Sequence, residues 1–257
     1  MLNTQARDQL RTLLPGSMIA TKQWLRTQGL SPYYLDNAVR SGLLTPLTPG
    51  VFSLLPIKPS WQGVVASLQK MSSQPVHIGG LSALMLAGLA HYLSLSSTPG
   101  VHLFSPEPLP RWLARISVDA NFEWHGTRRL WDEALLNDAQ FLKQQEWQSG
   151  CPPITFSCPE RAILEVLLDV PDGVSFEHAD ALMQGMHNLS PRKLDVLLMA
   201  CCNIKVKRLF LWLAERHTHA WFKYLTPEQY DLGSGKRVVA KEGRLEKQWQ
   251  ITVPKEM

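Results

Sequence analysis

Cysteine is scarce in this chain and poorly placed for metal chemistry. Cys151, Cys158, Cys201 and Cys202 are its four cysteines in 257 residues. None forms a C-x-x-C pair, the Cys201-Cys202 doublet is ill suited to sharing one ion, and no histidine pair completes a finger. Reduced, packed thiols are the expectation. Long hydrophobic runs are lacking too. Residues 1–16 have neither the basic opening nor the uninterrupted apolar core of a secretory signal. The most apolar window, 79–95, contains His91 and is too short and too often interrupted to span a bilayer. The chain is therefore expected in the cytoplasm, with no membrane contact.

Complete catalytic motifs are missing as well. Gly233-Ser234-Gly235-Lys236 hints at a phosphate loop, but Tyr230 and Arg237 stand where the leading glycine and the Ser/Thr after lysine belong. A loop entering a final hairpin is expected instead. Gly80-Leu81-Ser82-Ala83-Leu84 lacks the second glycine of a nucleophile elbow, and Ser82 reads as a helix cap. Glu160, Glu165 and Asp169 recur at helical spacing beside Arg161 and read as a solvated face, not a shielded acid–base pair. His217-Thr218-His219 has no third ligand at suitable spacing, and the positive side chains suit the end of a helix. No catalytic, cofactor-binding or metal-binding residue is expected, and the chain is read as a non-enzyme.

What the sequence does have is concentrated in residues 17–55. Thr21 caps a short helix that stops at Gly29, with Trp24 and Leu25 inward and Lys22 and Arg26 one turn apart outside. Ser31 opens a second helix with Pro32 in its first turn, running to about Ser41 and Gly42. Leu35, Ala38 and Val39 form its inward stripe. Tyr33, Asp36, Asn37 and Arg40 face out, with Tyr34 on the border. A helix face needing only solubility would carry Glu and Lys, whereas Tyr, Asn and Arg are groups that reach base edges and phosphates. Two apolar runs, 43–47 and 51–55, then flank the turn Thr48-Pro49-Gly50. An amphipathic helix over 3–14 completes the outline of a winged helix-turn-helix. A plain structural helical hairpin is the alternative from pattern alone.

Charge supports the nucleic-acid reading. Residues 1–58 hold six basic side chains (Arg7, Arg11, Lys22, Arg26, Arg40, Lys58) against Asp8 and Asp36, while the other 199 residues balance at 20 of each sign. The whole formal excess of +4 thus sits on the expected DNA-reading head, as phosphate binding would favour. A cluster of Lys205, Lys207 and Arg208 with Arg192 and Lys193 is also basic. Cations at a helix start oppose its dipole, so these read either as a solvated face or as a site for an acidic partner or nucleic acid.

Pro56, Lys58 and Pro59 interrupt the periodicity, which places a domain boundary there: 1–58 is the head and 59–257 the body. In the body, helices are expected over 61–71, 81–93, 159–168 (capped by Ser157), 176–186, 190–200 and 205–216. Extended segments are expected at 74–77, 101–104, 116–122 and 154–156, with a hairpin of 238–240 and 248–253 about 241–244. Interspersed elements of this kind make an α+β fold, with a larger mixed α/β domain following the winged helix.

Five groups of residues in this order resemble the AbiEi antitoxins of type IV toxin–antitoxin systems. They are the 17–55 unit with its Arg40-Ser41-Gly42-Leu43-Leu44 exit; Gly79-Gly80-Leu81-Ser82-Ala83-Leu84 with Gly88-Leu89-Ala90-His91-Tyr92; Cys158-Pro159-Glu160-Arg161-Ala162-Ile163-Leu164-Glu165; Lys205-Val206-Lys207-Arg208-Leu209-Phe210-Leu211; and the ending Asp231-Leu232-Gly233-Ser234-Gly235-Lys236-Arg237 with Ile251-Thr252-Val253-Pro254. The similarity covers nearly the whole chain. It implies a winged-helix repressor fused to an antitoxin domain. It also implies binding to double-stranded DNA at inverted repeats in its own promoter, and opposition to an AbiEii-like nucleotidyltransferase toxin without need of a stable complex. The biological setting implied is phage defence by abortive infection.

In that reading Tyr33, Tyr34, Asn37 and Arg40 enter the major groove. Ser31 and its helix N-terminus, Lys22 and Arg26 hold phosphates, and the 48–50 turn touches the backbone or minor groove. The alternative is an interaction module that neutralises a partner by direct capture without binding DNA. A third reading, an enzyme that reverses the toxin's damage, finds no nucleophile, metal or cofactor constellation to support it.

Overall fold

The computed structural model describes residues 4–54, 56, 58–90, 99–136 and 138–257. Asn3, Leu55, His91 and Tyr92, and the end of the helix expected over 81–93, lie outside the described residues. In order the elements are α1 (Thr4–Leu13), β1 (Ile19–Thr21), α2 (Lys22–Thr27), α3 (Pro32–Arg40), β2 (Thr45–Thr48), β3 (Val51–Ser53), α4 (Trp61–Met71), β4 (His77–Ile78) and α5 (Gly80–Leu86). Then come β5 (Gly100–Ser105), β6 (Asn121–Gly126), α6 (Glu133–Leu136), β7 (Leu142–Gln145), β8 (Ile154–Ser157), α7 (Pro159–Leu168), α8 (Phe176–Gln184), α9 (Pro191–Ala200), α10 (Ile204–Arg216), β9 (Arg244–Glu246) and β10 (Ile251–Val253). The fold is α+β. Two compact units divide it: Met1–His77 with Ser94–His125 and Gln144–Thr155, and Ile78–Leu93 with Gly126–Lys143 and Phe156–Met257. A five-stranded sheet has the order β6-β5-β4-β8-β7, in which Ile78 pairs in parallel with Phe156. Among the described residues no helix is long and apolar enough to cross a membrane.

In the first unit, α1 to β3 follow from local signals. Thr21 Oγ1 accepts the Trp24 amide at 3.1 Å, and Ser31 Oγ accepts that of Tyr34 at 3.2 Å, filling one unsatisfied donor at each helix start. Gly29 at φ 90° and Gly42 at φ 73° end the two helices in the left-handed region that a side chain resists. Strands β2 and β3 form the expected antiparallel hairpin, and β1 adds to the other edge of β3, with Ile19 opposite Ser53 and Thr21 opposite Val51. That third strand was not foreseen, because three residues carry no readable alternation. Leu10, Leu14, Leu25, Leu35, Leu44 and Val51 are buried together in this core.

Helix α4 closes the free edge of β1. Ser67 Oγ accepts the Ile19 amide at 2.9 Å and donates to the Gly63 carbonyl at 2.6 Å. The approach requires Gly63, since a Cβ there would lie 2.4 Å from the Ser17 carbonyl oxygen.

The second unit is built around α7 and α10, which are buried on almost every face although both carry charged residues. Here the structure corrects the sequence reading. Glu160, Arg161 and Glu165 are not a solvated face: they are 6%, 0% and 0% exposed. Arg161 Nε donates to Glu165 Oε1 at 3.0 Å, the Ser157 hydroxyl donates to the same oxygen at 3.0 Å, and the Gly80 amide donates to Oε2 at 3.0 Å. Glu160 accepts the Ser190 amide at 2.8 Å. Charge at helical spacing reads as solvated by default, but buried carboxylates persist where their lone pairs are filled. Ser157 is therefore a ligand of Glu165, and Cys158 occupies the cap position of α7 without a side-chain bond.

The basic cluster is corrected likewise. Lys205 Nζ donates to the Leu168 and Val170 carbonyls at 2.7 Å each, a cation at the C-terminal end of α7, where its dipole favours one. Lys207 and Arg208 are 1% and 3% exposed. Arg208 donates to the carbonyls of Leu232 at 2.8 Å, Gly233 at 3.0 Å, Gly235 at 2.6 Å and Gln250 at 2.9 Å. Its five fixed donors gather the glycine loop, which is the reason for cations at this helix start. Arg192 alone of the cluster is exposed.

Three element boundaries also move. Helix α5 starts at Gly80 and gives way at Ala87, with Gly79 at the cap, so Ser82 lies buried inside it. Extended structure expected over 116–122 begins only at Asn121. The last hairpin pairs Arg244–Glu246 with Ile251–Val253. Its turn comes after Glu246, with Gln250 at φ 51°, and Gly243 instead permits close approach, since a Cβ there would meet the Val253 carbonyl oxygen at 2.0 Å. The four cysteines are unpaired, and burial pushes the Cys158 thiol up to about 12 and the Cys201 thiol up to about 11. Such thiols are inert at neutral pH.

Candidate nucleic-acid interface

The outward face of α3 is set by its inward one. Leu35 and Ala38 are wholly buried, so residues at the complementary positions of a 3.6-residue helix point away from the core. Tyr33 is 77% exposed, Arg40 is exposed and Asn37 is half-buried between them. Their spacing of four and three residues puts all three on one stripe. The opening turn of this nine-residue helix, with Ser31 exposed at its cap, is capped but uncovered.

Tyr34 behaves differently from Tyr33. Its hydroxyl is buried and has no hydrogen-bond partner among the described residues. Burial raises its pKa, an effect that Arg7 on α1 opposes and Asp8 reinforces. The ring therefore borders α1 and is half-covered, while Tyr33 projects fully.

Helix α2 supplies the cations. Arg26 is exposed, and Lys22 Nζ reaches across to Asp36 Oδ1 of α3 at 2.5 Å. The Lys22 amide donates to the Gly50 carbonyl at 2.8 Å, which fixes the tip of the β2–β3 hairpin beside the start of α2. Pro49 and Gly50 at that tip are exposed. Lys22 thus stands between the hairpin tip and α3, and Arg26 lies one turn further along α2. The structure brings Lys22, Asp36 and the hairpin together, leaves Tyr33, Arg40 and Arg26 presented to solvent, and half-buries Asn37 between Tyr33 and Arg40.

One grouping escaped sequence reasoning. His102 on β5 and Glu123 and His125 on β6 place their ligand atoms within 4.8 Å of one another. The signal was a Glu-x-His alternation on one strand, but its meaning depends on a neighbouring strand that linear spacing does not reveal. Among histidines expected to be structural, His217 Nε2 lies 2.9 Å from Asp180 Oδ1, and His219 Nε2 lies 2.7 Å from the Met183 carbonyl oxygen.

These features define a class: an α+β chain with an N-terminal module of three helices and a three-stranded sheet, followed by a helical body with charged side chains in its interior. Residues 3–95 match the family described as "Transcriptional regulator, AbiEi antitoxin N-terminal domain", and residues 98–254 match "Transcriptional regulator, AbiEi antitoxin, Type IV TA system". The chain belongs to the AbiEi antitoxin family of transcriptional regulators. Its structure is similar to the crystal structure of the RV2827C protein from Mycobacterium tuberculosis, with a TM-score of 0.56 and 15% identity over 98% of this chain and 92% of that one. At that identity the likeness is one of fold. No curated protein matches the sequence.

Proposed function

We propose that this protein is a cytoplasmic autorepressor and antitoxin, in which residues 1–58 act as a winged helix-turn-helix and 59–257 as the antitoxin domain. The head binds inverted repeats in the promoter of its own operon, one copy to each repeat. The body counters a nucleotidyltransferase toxin encoded alongside, without a stable complex and without catalysis. The observation that carries the DNA reading is the stripe of exposed Tyr33, half-buried Asn37 and exposed Arg40 beside exposed Arg26. It joins groups that read base edges to a cation that holds phosphate.

In this arrangement Tyr33, Asn37 and Arg40 enter the major groove, with Tyr34 supporting their border. Arg26, Lys22, Ser31 and the N-terminal amides of α3 contact phosphates, and the Pro49-Gly50 tip lies on the backbone or in the minor groove. A gel-shift titration of the full chain on its own promoter tests this. Arg40→Ala is expected to weaken binding by about 1–3 kcal/mol and to relax preference at one base pair. Unchanged affinity and preference would remove α3 from the groove.

A further inference from the structure

We propose that His102, Glu123 and His125 form a binding site for one divalent transition-metal cation, with zinc the ion that suits them. The three residues belong to the first unit and come from two neighbouring strands. Glu123 and His125 are two apart on β6, so both side chains leave the same face. His102 stands on β5, with its Nδ1 3.0 Å from His125 Nε2 and 3.8 Å from Glu123 Oε2.

Those separations fit a shared ion. Zinc bound at ~2.0–2.1 Å by imidazole nitrogen and at ~2.0–2.2 Å by carboxylate oxygen has tetrahedral edges of roughly 3.3–3.5 Å. The two distances fall on either side of that value. For these two edges the adjustment is a few tenths of an ångström, and the third, between His125 and Glu123, lies within 4.8 Å; the Glu123 side chain, 55% exposed, can supply the movement by rotation. Two imidazoles and a carboxylate are borderline ligands that select zinc and its neighbours over magnesium or calcium.

The surroundings hold the ligands in place. His125 stacks on Phe104 with ring centroids 4.7 Å apart and planes at 13°, and Phe104 stacks in turn on His77 at 5.7 Å. This aromatic pile orients one imidazole. Gly100 leaves room for the carboxylate, since a Cβ there would lie 3.0 Å from Glu123 Oε1. In the loaded state the ion takes the place of the hydrogen bond between His102 and His125. Both rings then carry their proton on the other nitrogen, and β5 is clamped to β6.

The test is calorimetric titration of zinc chloride into tag-free, chelator-treated full-length protein, with cobalt as a spectroscopic substitute. One equivalent of zinc should bind saturably, and cobalt should give the visible bands of a tetrahedral site. The double variant His102→Gln/His125→Gln should abolish both signals while the far-ultraviolet dichroism stays native. Should that double variant fail to fold, Glu123→Gln decides, because its side chain is largely in solvent. It is expected to weaken zinc by at least about tenfold. Failure of the full chain to take up one equivalent would overturn the proposal. So would unchanged binding in Glu123→Gln, or loss of the signal on His217→Gln instead, which would place the ion among His187, His217 and His219.

Discussion

The ammonium of Lys22 and the carboxylate of Asp36, 2.5 Å apart, tie α2 to α3. Both side chains are more than a third exposed, so the pair contributes little to stability. On the proposed DNA reading its importance lies in occupancy: the lysine assigned to phosphate is already neutralised by the one acid on that face. Asp36→Ala is therefore expected to tighten promoter binding and to steepen its salt dependence by about one contact. Lys22→Ala should weaken all sequences alike, and more so in the Asp36→Ala background. Salt titrations of the four proteins on one promoter fragment give the comparison.

Loss of the Ser31 hydroxyl removes the cap from the same helix. Ser31→Ala should cost about 1 kcal/mol of stability, whereas Ser31→Asp should keep the cap but repel phosphate. Urea unfolding and gel shifts on both variants separate the two roles: equal affinity of the alanine and aspartate proteins would count against phosphate at this terminus.

Deep in the second unit, Arg161 and Glu165 cannot be removed singly without stranding a charge. Glu165→Gln or Arg161→Met is expected to cost about 3–5 kcal/mol, and joint replacement by apolar residues of similar volume considerably less. Urea midpoints for the two single variants and the double variant measure the difference. The Gly80 amide and Ser157 hydroxyl, which also depend on Glu165, keep the double replacement from being free of cost.

His219 makes stability depend on pH. Burial lowers its pKa below the usual histidine value, opposed by its bond to the Met183 carbonyl and aided by His187 and His217. Burial likewise lowers that of His178. The unfolded chain takes up these protons from about pH 6.5 downward, while the folded chain resists until lower pH. Stability is thus complete above about pH 6.5 and falls as the pH drops toward the folded-state values. Urea unfolding at pH 5.5 and 7.5 should show the loss, and His219→Gln should reduce it.

The head was legible in sequence because its signals are local. Thr21, Gly29, Ser31, Pro32 and Gly42 each perform the capping or turning role their chemistry suggests. Strand β1 was invisible because its justification is the β3 edge and Ser67, neither of which lies nearby in sequence. The body was misread where polarity serves the interior. Arg161, Glu165 and Arg208 look like surface residues until their carbonyl and carboxylate partners are seen, and Lys207 is buried beside them on α10. The family-like segments around Gly80 and Glu165 are one contact, and those around Arg208 and Gly233 are another. The final hairpin was displaced because Gly243 invited a turn that Gln250 makes instead.

The bond from the Ile19 amide to Ser67 bears on how the N-terminal module can be isolated. A fragment ended at residue 58 would leave β1 with a bare row of donors and acceptors, a template for pairing with another chain. Such a fragment is expected to self-associate, whereas one carried through Met71 keeps the strand shielded and stays monodisperse.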